Sequence, residues 1–353
     1  MGSLAKQPYP TSLVVYGLGS VGKGIVDDLL AEAIAVDFIL DRGQRGESYR
    51  GIPILALEDV ADGGITGRTV LIGLHNHYVD IKQIHADLCA AGAVRVLSAT
   101  NLPELAPNAT TRPGYWLDKH FDYTAHNADF ARARALLVDE TSRSLFDAIV
   151  RYRQCGDIAD CPAPSLHDEY TPTDLPRLAE PLRVVDCGAF TGVAIHKFLK
   201  AGYAIDSFAA FEPDPDNFAI LASRDFQIER KLCLPLGTWS STTQLRFSSD
   251  GSMASRLSDA GDTVIQCVAI DDVFQGERVN VVKLDVEGAE IETLKGMRKI
   301  IEAQRPALLV SAYHLPEHLY AIIDLIESWN LGYRFHLRVH EFNTFGTVVY
   351  AYQ

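Results

Sequence analysis

Short apolar runs alternate with helix-like segments along the first hundred residues. Apolar runs bounded by polar or turn residues are typical of buried strands. The predicted strands are 12–17, 36–41, 69–74 and 94–98. The predicted helices between them are 21–30 and 79–90. Because strands that alternate with helices indicate a parallel sheet with helices on its faces, we predict a small Rossmann-like domain over residues 1–111.

Residues 112–182 follow a different pattern. Apolar positions at helical spacing predict one helix over 130–152. Five prolines then interrupt any regular periodicity: Pro162, Pro164, Pro172, Pro176 and Pro181. Because proline cannot donate a backbone hydrogen bond and restricts the residue before it, this composition indicates an extended segment. We predict a helical connector followed by a linker.

A second alternation of strands and helices occupies residues 183–353. The predicted strands are 183–186, 207–212, 229–236, 279–285, 307–313, 333–342 and 346–352. The predicted helices are 193–201, 216–223, 289–303 and 317–329. The last two strands are separated by too few residues for a parallel crossover, so they must pair as an antiparallel hairpin. The sequence thus predicts an α/β protein with two Rossmann-like domains, of which the C-terminal one, 183–353, ends in that hairpin.

Composition limits the partners of the chain. The 353 residues carry a formal net charge of -14 without a basic stripe, which argues against nucleic acid because phosphate contacts need clustered Lys and Arg. No apolar run approaches the roughly 20 residues that cross a bilayer, and the first residues lack the apolar stretch of a secretory signal. The six cysteines have no CxxC or metal-like spacing, which favours free thiols in a reducing compartment. We expect a cytoplasmic protein with no membrane partner.

A carboxylate and a glycine turn stand between the first strand and the first helix of the second unit. The segment contains Asp186, Gly188, Ala189, Phe190 and Gly192. Ligands of open α/β sheets bind outside the carboxyl ends of the strands, so this turn faces the expected site. A dinucleotide needs a small residue where Phe190 stands, because its pyrophosphate approaches the backbone there. The turn therefore favours S-adenosylmethionine, a cofactor without phosphate.

An acidic residue ends the next strand. Glu212 is followed by Pro213, and its two carboxylate oxygens can accept hydrogen bonds from both ribose hydroxyls of a cofactor. The alternative is a helix N-cap, a frequent role of acidic residues before a helix. Because the glycine turn lies upstream, we predict that Glu212 and Pro213 contact S-adenosylmethionine.

Residues 283–290 read KLDVEGAE. This string closely resembles the signature of FkbM-type methyltransferases, and flanking segments such as 186–190, 211–213 and 311–314 agree with it. The resemblance extends over about 130–353, although Val193 stands where many relatives carry an acidic residue. It implies a methyltransferase sheet and O-methylation with S-adenosylmethionine.

Side chains around the fourth parallel strand are candidates for the site. Asp285 and Glu287 leave the end of this strand, and Lys283 shares the face of Asp285 because side chains alternate along a strand. A carboxylate here can orient the acceptor hydroxyl or the surroundings of the sulfonium, so Asp285 and Glu287 are predicted to contact the cofactor. Glu290 is interpreted as a favourable charge at a helix N-terminus.

His314 follows the fifth strand on the same edge of the sheet. A neutral imidazole there can take the proton of an acceptor hydroxyl. We therefore predict that His314 is the general base, with Asp285 and Lys283 as its catalytic neighbours. The alternative is a histidine that only hydrogen-bonds to backbone.

A later strand carries basic side chains on one face, because alternate residues of a strand point the same way. They are Arg334, His336, Arg338 and His340. The first two fit a solvated edge. Arg338 and His340 are candidates for binding a sugar hydroxyl or an anionic acceptor.

The first unit has its own glycine motif. Gly17, Gly19 and Gly22 form a complete GxGxxG between a strand and a helix, and Asp41 ends the next strand. This context favours a nucleotide or nucleotide sugar at the helix N-terminus, with residues 75–77 lining the same crevice. The unit resembles the small domain found ahead of some FkbM-type enzymes. The alternative is a degenerate turn kept for packing alone.

The leading hypothesis is an S-adenosylmethionine-dependent O-methyltransferase that acts on a hydroxyl of a sugar, glycan or related small molecule. One alternative is an NAD-dependent oxidoreductase that uses the first glycine motif, although a hundred-residue unit leaves no room for a separate catalytic domain. Others are a sugar-nucleotide-binding protein and a non-catalytic sensor with a ligand in each unit. The sequence leaves a metal near Asp285 and a homodimer open, although no ligand cluster requires a metal.

Overall fold

A computed structural model describes residues 12–60, 64–165, 169–248, 256–257 and 263–353 of the chain. The chain divides into two units. The first comprises Met1–Ala125, Asp147–Ala163 and Glu341–Phe345, and the second comprises His126–Phe146, Pro164–His340 and Gly346–Gln353. Both units therefore take residues from the segment 112–182 that the sequence predicts to be a connector.

The first unit is built on a six-stranded sheet. Its strands are β1 (Ser12–Tyr16), β2 (Ala35–Leu40), β3 (Ser48–Tyr49), β4 (Ile52–Leu55), β5 (Thr69–Ile72) and β6 (Arg95–Leu97). Its helices are α1 (Ser20–Ala31), α2 (Ile81–Ala90) and α3 (Leu102–Leu105). The strand order is β3-β4-β2-β1-β5-β6, with parallel pairing except between β3 and β4. The four predicted strands and two predicted helices are confirmed, whereas the apolar periodicity does not predict β3, β4 or α3.

Apolar side chains of the strands and of α1 form the core of the first unit. Val15, Ile25, Ile39 and Leu71 are completely buried in it. Burying a side chain of this size contributes roughly 1.5–3 kcal/mol. The packing of α1 on the sheet thus fixes the glycine motif that precedes this helix.

The chain continues through two helices, α4 (Asn127–Leu136) and α5 (Glu140–Cys155). The prediction of one helix over 130–152 is therefore wrong, because the helix is interrupted between Leu136 and Glu140. Leu137 has extended backbone torsions and forms a parallel bridge with Phe335. Asp139 then accepts a hydrogen bond from the backbone N–H of Ser142 at 2.7 Å, which stabilises the start of a new helix.

The second unit contains two sheets. Their strands are β7 (Leu182–Cys187), β8 (Ile205–Phe211), β9 (Arg230–Leu234), β10 (Gly237–Thr238), β11 (Thr243–Ser248), β12 (Arg256–Leu257), β13 (Thr263–Val268), β14 (Val281–Leu284), β15 (Ala307–Ser311), β16 (Arg334–Val339) and β17 (Thr347–Tyr352). The larger sheet has the order β16-β17-β15-β14-β7-β8-β9, and the smaller has the order β10-β13-β11-β12. β17 pairs antiparallel with both β15 and β16, so the predicted terminal hairpin and the predicted α/β class are confirmed. The smaller sheet lies in a stretch for which the periodicity predicts no strands beyond residue 236.

Helices complete the second unit. They are α6 (Val193–Lys200), α7 (Pro215–Ser223), α8 (Ile270–Val273), α9 (Glu290–Gly296), α10 (Arg298–Gln304) and α11 (His318–Ser328). The single helix predicted over 289–303 is divided at Met297, which has a φ of -121°. At Gly296 a Cβ atom would lie 2.0 Å from the carbonyl oxygen of Trp239, so α9 ends where the backbone of another segment approaches it. No helix among the described residues is both long and apolar enough to cross a membrane.

The order of the larger sheet places a switch point between β7 and β14. From β7 the chain proceeds outward through β8 to β9, and from β14 it proceeds to β15 on the other side. β7 and β14 are parallel, with Lys283 beside Asp186 and Leu284 beside Cys187. Ligands of open α/β sheets bind at such reversals, outside the carboxyl ends of the strands. The loops after β7 and β14 are therefore the expected position of a ligand site.

Candidate active site

The glycine turn after β7 is tightly packed at the switch point. Gly188 has a φ of +72°, and a Cβ atom there would lie 1.9 Å from the carbonyl oxygen of Asp285. Gly192 has a φ of +88°, and its Cβ would lie 2.4 Å from the ring of Phe226. Phe190 also adopts a positive φ, of +50°. Positions 188 and 192 require glycine for two reasons: the positive φ, and the atoms that lie where a Cβ would stand.

Glu212 braces this turn from the end of β8. One carboxylate oxygen accepts the backbone N–H of Phe190 at 2.8 Å, and the other accepts that of Asp214 at 2.9 Å. The residue is 6% exposed, and burial raises the pKa of its carboxyl. The helix N-cap of α7 is Asp214 rather than Glu212. Each oxygen of Glu212 retains a lone pair for a ligand hydroxyl, as the predicted ribose contact requires.

Lys283 and Asp186 form a buried ion pair beneath the turn. The Lys283 Nζ atom lies 3.0 Å from Asp186 Oδ1 and donates a hydrogen bond to the carbonyl oxygen of Gly188 at 2.5 Å. Burial lowers the pKa of the Lys283 ammonium, but the charge of Asp186 outweighs that effect, so its pKa is raised. Both side chains are almost inaccessible. Asp186 is thus buried beneath the turn and supports it, whereas the sequence predicts a cofactor contact at this residue. The charge of Asp186 favours the protonated form of Lys283.

Asp285 is the accessible carboxylate at the end of β14. Its Oδ2 atom accepts the hydroxyl of Tyr170, and its Oδ1 atom accepts the hydroxyl of Tyr313, both at 3.2 Å. Lys283 Nζ lies 4.0 Å away. The side chain of Asp285 is 25% exposed. Two phenols and an ammonium thus orient a carboxylate that a ligand can still reach.

Backbone strain marks the next residues. Glu287 has a φ of +53°, in the left-handed region that non-glycine residues rarely adopt, and Gly288 follows with a φ of +102°. Such conformations cost of order 1–3 kcal/mol and cluster at functional sites. Burial raises the pKa of the Glu287 carboxyl. The turn thereby presents Glu287 beside Asp285 instead of continuing the strand.

His314 is enclosed by carboxylates. Its Nδ1 atom lies 2.8 Å from Glu290, and its Nε2 atom lies 3.4 Å from Asp285 and 3.5 Å from Glu287. Burial lowers the pKa of this imidazole, but the charges of Glu290 and Glu287 outweigh that effect and raise it well above 6.5. These charges favour the protonated imidazole, whereas the general base predicted at His314 needs the neutral form.

Glu290 has more partners than a helix N-terminus alone provides. It begins α9, as predicted, and it accepts the backbone N–H groups of Val286 and Gly288 at 2.9 and 3.1 Å. It also lies 3.1 Å from His318 Nδ1. Burial raises the pKa of its carboxyl, but the two histidines outweigh burial and lower it. One ligand atom each of Asp285, Glu290 and His314 lies within 4.8 Å of the others, so the structure assembles a donor set that the sequence alone does not reveal.

Three residues of the candidate site are not predicted from the sequence: Tyr170 and Tyr313 beside Asp285, and His318 beside Glu290. Tyr170 is buried and lies in the proline-marked segment far from Asp285 in sequence, so no local pattern indicates it. Tyr313 immediately precedes His314 at the end of β15, and this position on the site edge could have indicated it. His318, one turn further along, contacts Glu290 from α11.

The basic face of β16 is used mostly inside the second unit. Arg338 is 4% exposed and donates hydrogen bonds to Asp174 and Ser142, both at 2.8 Å. His336 is buried and lies 2.6 Å from Asp139. The predictions that Arg338 binds an acceptor and that His336 is solvated are therefore wrong, because the start of α5 covers this strand. The half-buried His340 lies 2.8 Å from the hydroxyl of Tyr350.

The three glycines of the first motif have different reasons for being glycine. Gly17 has a φ of +92°, and its Cβ would lie 2.4 Å from Leu74. A Cβ on Gly22 would lie 2.1 Å from the carbonyl oxygen of Gly17. Gly19 has an ordinary φ of -68°, and no described atom lies within 4 Å of its Cβ position. Packing therefore explains Gly17 and Gly22 but not Gly19.

Asp41 and His75 are engaged within the first unit. Asp41 Oδ2 accepts the backbone N–H of Leu18 at 2.8 Å, while Oδ1 accepts two further backbone N–H groups at 2.9 and 3.2 Å. The ring of His75 packs 5.0 Å from those of Trp116 and Phe345. Burial lowers the pKa of His75 to about 4, so this histidine is neutral.

Comparisons with known proteins agree on one class of domain. A protein-family description, the methyltransferase FkbM domain, matches residues 186–335. The hexuronic acid methyltransferase AglP of Haloferax volcanii is 33% identical over 102 residues, a stretch that covers 27% of this chain and only 42% of that protein. The crystal structure of methyltransferase FkbM from Methylobacillus flagellatus is similar with a TM-score of 0.73 and 21% identity, covering 97% of this chain and 90% of that one. At that identity, the structural likeness shows the fold alone.

Proposed function

We propose that this chain transfers a methyl group from S-adenosylmethionine to a hydroxyl of a sugar or related small molecule, because the methyltransferase FkbM domain description matches its residues 186–335. The observation that carries the proposal is the pairing of the Gly188 turn with Glu212 at the switch point of the larger sheet. When bound, S-adenosylmethionine supplies an activated methyl group on a sulfonium.

The turn and Glu212 suit the cofactor side of the reaction. The turn of Gly188, Ala189, Phe190 and Gly192 carries Phe190 where a pyrophosphate needs a small residue, so it suits a cofactor without phosphate. Glu212 is held by two backbone N–H groups, so its remaining lone pairs point in fixed directions. Two vicinal ribose hydroxyls are donors that match such a two-oxygen acceptor. Pro213 follows on the same loop.

Asp285 suits the acceptor side. Its oxygens are oriented by Tyr170 and Tyr313, and its partial exposure lets an acceptor hydroxyl donate a hydrogen bond to it. Because the raised pKa of His314 favours its protonated form, the proton of the attacking hydroxyl passes to Asp285 in this proposal. Lys283 and His314 act as positioning residues. Alignment of the reacting atoms can supply roughly 7–11 kcal/mol of the barrier reduction.

A sugar acceptor is supported by the likeness to a hexuronic acid methyltransferase over 102 residues. The matching domain description and the similar protein AglP are both of methyltransferases, which favours this proposal over the NAD-dependent oxidoreductase.

The test uses the purified full chain and methyl-labelled S-adenosylmethionine. Hexuronic acids, neutral hexoses and nucleotide sugars serve as acceptors, and we expect label in a hydroxyl-derived methyl ether of at least one. Calorimetry measures cofactor affinity in wild type, in Glu212→Gln and in the matched control Asp41→Asn, which changes the acidic residue after the second strand of the other unit. We expect at least tenfold weaker binding in Glu212→Gln alone. Unchanged affinity in a folded Glu212→Gln variant would falsify the assignment, and cofactor binding without any labelled acceptor would overturn the acceptor class.

A second ligand in the first unit is proposed on the evidence of Gly19. Its open Cβ position at the N-terminus of α1 suits a nucleotide phosphate that approaches the backbone. Calorimetry with nucleotides and nucleotide sugars tests this, and the absence of binding at millimolar concentrations would show that the motif only packs the fold.

A further inference from the structure

Three acidic side chains surround His314 at the carboxyl ends of β14 and β15. Its Nδ1 atom lies 2.8 Å from Glu290 Oε1, and its Nε2 atom lies 3.4 Å from Asp285 Oδ1 and 3.5 Å from Glu287 Oε2. We propose that this cluster binds one divalent metal ion, with His314 Nε2, Asp285 and Glu287 as ligands and with Glu290 as the residue that orients the imidazole.

The two nitrogens of His314 have different surroundings. The 2.8 Å separation between Nδ1 and Glu290 fits a charge-assisted hydrogen bond of roughly 2.7–2.9 Å. Nε2 carries at most one hydrogen, yet it faces two carboxylate oxygens at 3.4 and 3.5 Å, so one N–H cannot bond both of them fully. For metal–ligand distances of roughly 2.0–2.2 Å, neighbouring tetrahedral ligands are about 3.3–3.6 Å apart. The distances from Nε2 to Asp285 and to Glu287 are therefore those of neighbouring ligands around a shared ion.

Glu290 is better suited to orient His314 than to bind the ion. It is completely buried, and its oxygens already accept the backbone N–H groups of Val286 and Gly288. His318 Nδ1 lies 3.1 Å from its second oxygen. Metal-binding histidines commonly donate their other ring N–H to such a carboxylate, which fixes the tautomer. Glu290 thus directs Nε2 of His314 toward Asp285 and Glu287.

The charges at this edge favour a cation. Four carboxylates lie close together, namely Asp186, Asp285, Glu287 and Glu290, and Lys283 neutralises one of them through its contact with Asp186. A proton on the imidazole neutralises one more. A divalent ion bound to a neutral imidazole would neutralise two, so it compensates the buried charge better than the proton does.

The donor set selects the class of metal. One imidazole with two carboxylates suits Mn²⁺ or Zn²⁺ better than the all-oxygen sites of Ca²⁺. The side chains of Asp285 and Glu287 are 25% and 23% exposed, whereas that of His314 is 2% exposed. Further ligand positions on the carboxylate side therefore stay accessible to an acceptor oxygen. In that role the inference rests on the proposed function, because the bound ion would lower the pKa of the acceptor hydroxyl.

Binding is tested with Mn²⁺ and Zn²⁺ on the full chain after treatment with a chelator. We expect saturable binding of one ion per chain, and pulsed electron paramagnetic resonance of the Mn²⁺ form should show coupling to an imidazole nitrogen that is lost in His314→Gln. Glu287→Gln should weaken binding at least tenfold, and Glu290→Gln should weaken it roughly 10–100-fold. The matched control is His126→Gln, which removes a histidine 3.0 Å from Asp129 at the start of α4 and should leave metal affinity unchanged.

The contrary outcomes are equally specific. Failure of wild type to bind either ion at millimolar concentrations overturns the inference, as does unchanged affinity in a Glu287→Gln variant that melts like wild type. Binding without nitrogen coupling overturns the assignment of His314. Calorimetry with S-adenosylmethionine on the same preparation separates the two proposals. Cofactor binding without metal binding overturns only the metal site, whereas metal binding without cofactor binding overturns only the proposed function.

Discussion

Removing the ammonium of Lys283 tests how the glycine turn is held. In Lys283→Met the side chain keeps its approximate length but loses its charge. Asp186, which is completely buried, is left without the ammonium 3.0 Å away, and the carbonyl oxygen of Gly188 loses the hydrogen bond from the same group. We therefore expect the variant to be destabilised even though no surface residue changes.

The magnitude follows from the burial of the pair. Removing one partner of a buried ion pair costs roughly 3–5 kcal/mol, whereas replacing both partners is often close to neutral. At about 2–4 °C per kcal/mol for a unit of this size, the melting temperature should fall by roughly 6–20 °C. Burial raises the pKa of the Asp186 carboxyl, so in the variant this group is more easily protonated in the folded state than in the unfolded one. Its ionisation then opposes folding, and the loss of stability should be larger at pH 8 than at pH 5.

Scanning calorimetry of wild type, Lys283→Met and the double variant Lys283→Met/Asp186→Asn measures these differences. The double variant should recover most of the lost melting temperature. Cofactor affinity, measured on both, reports whether the turn still forms. A single variant that melts within two degrees of wild type, or a double variant that is no better than the single one, would refute the buried-pair argument.

Three further predictions concern other sites. Gly19→Val should abolish nucleotide or nucleotide-sugar binding, measured by calorimetry, because the valine side chain would fill the open space that a phosphate needs. S-adenosylmethionine binding should persist. Equal nucleotide affinity in wild type and variant would show that no ligand approaches Gly19. For Asp139, burial raises the pKa, but hydrogen bonds from Ser142 and the contacts with His336 and Arg338 outweigh burial and lower it to about 2. The resulting stability is complete above the ordinary value of 3.8 and is lost as the pH falls toward 2, so Asp139→Asn should flatten the acid dependence of the melting temperature, and an unaltered dependence would contradict this assignment. Because the pKa of His314 is raised well above 6.5, its ion pairs stabilise the fold below pH 6.5 and are lost only as the pH rises through the raised pKa. Turnover with saturating substrates should therefore lack an ionisation near pH 6.5. An ionisation there that disappears in His314→Gln would restore the imidazole as the base.

The larger sheet could be predicted because its signals are local. Apolar runs identify β7, β8, β14 and β15. The few residues between β16 and β17 require these two strands to form an antiparallel hairpin. The helix breaks could not be predicted, because their causes lie elsewhere in the chain. Leu137 leaves the helix to pair with Phe335, and Gly296 ends a helix against the backbone of Trp239. In both cases the neighbouring sequence alone reads as one continuous helix.

The difference between local and distant causes also explains which site residues could be predicted. Asp285 and Glu287 are predictable because strand ends in a parallel sheet share one edge. Tyr170 is not, since it reaches Asp285 from a segment without regular periodicity. The raised pKa of His314 also depends on contacts that no spacing reveals, because Glu290 and Glu287 surround it only after the turn at Glu287 adopts its left-handed conformation.

The two glycine motifs look alike in sequence, but their acidic partners differ in what they can still bind. Asp41 and Glu212 each follow the second strand of their sheet, and each accepts a backbone N–H from its own glycine turn. A carboxylate has about four lone-pair positions. Asp41 uses three of them on backbone N–H groups, two on the same oxygen, so it cannot accept one hydroxyl on each oxygen. Glu212 uses one on each oxygen, which leaves a matching pair for the two hydroxyls of a ribose. A nucleotide in the first unit would therefore have to rely on the open backbone of Gly19, whereas Glu212 in the second unit offers one free acceptor position on each oxygen to a ribose.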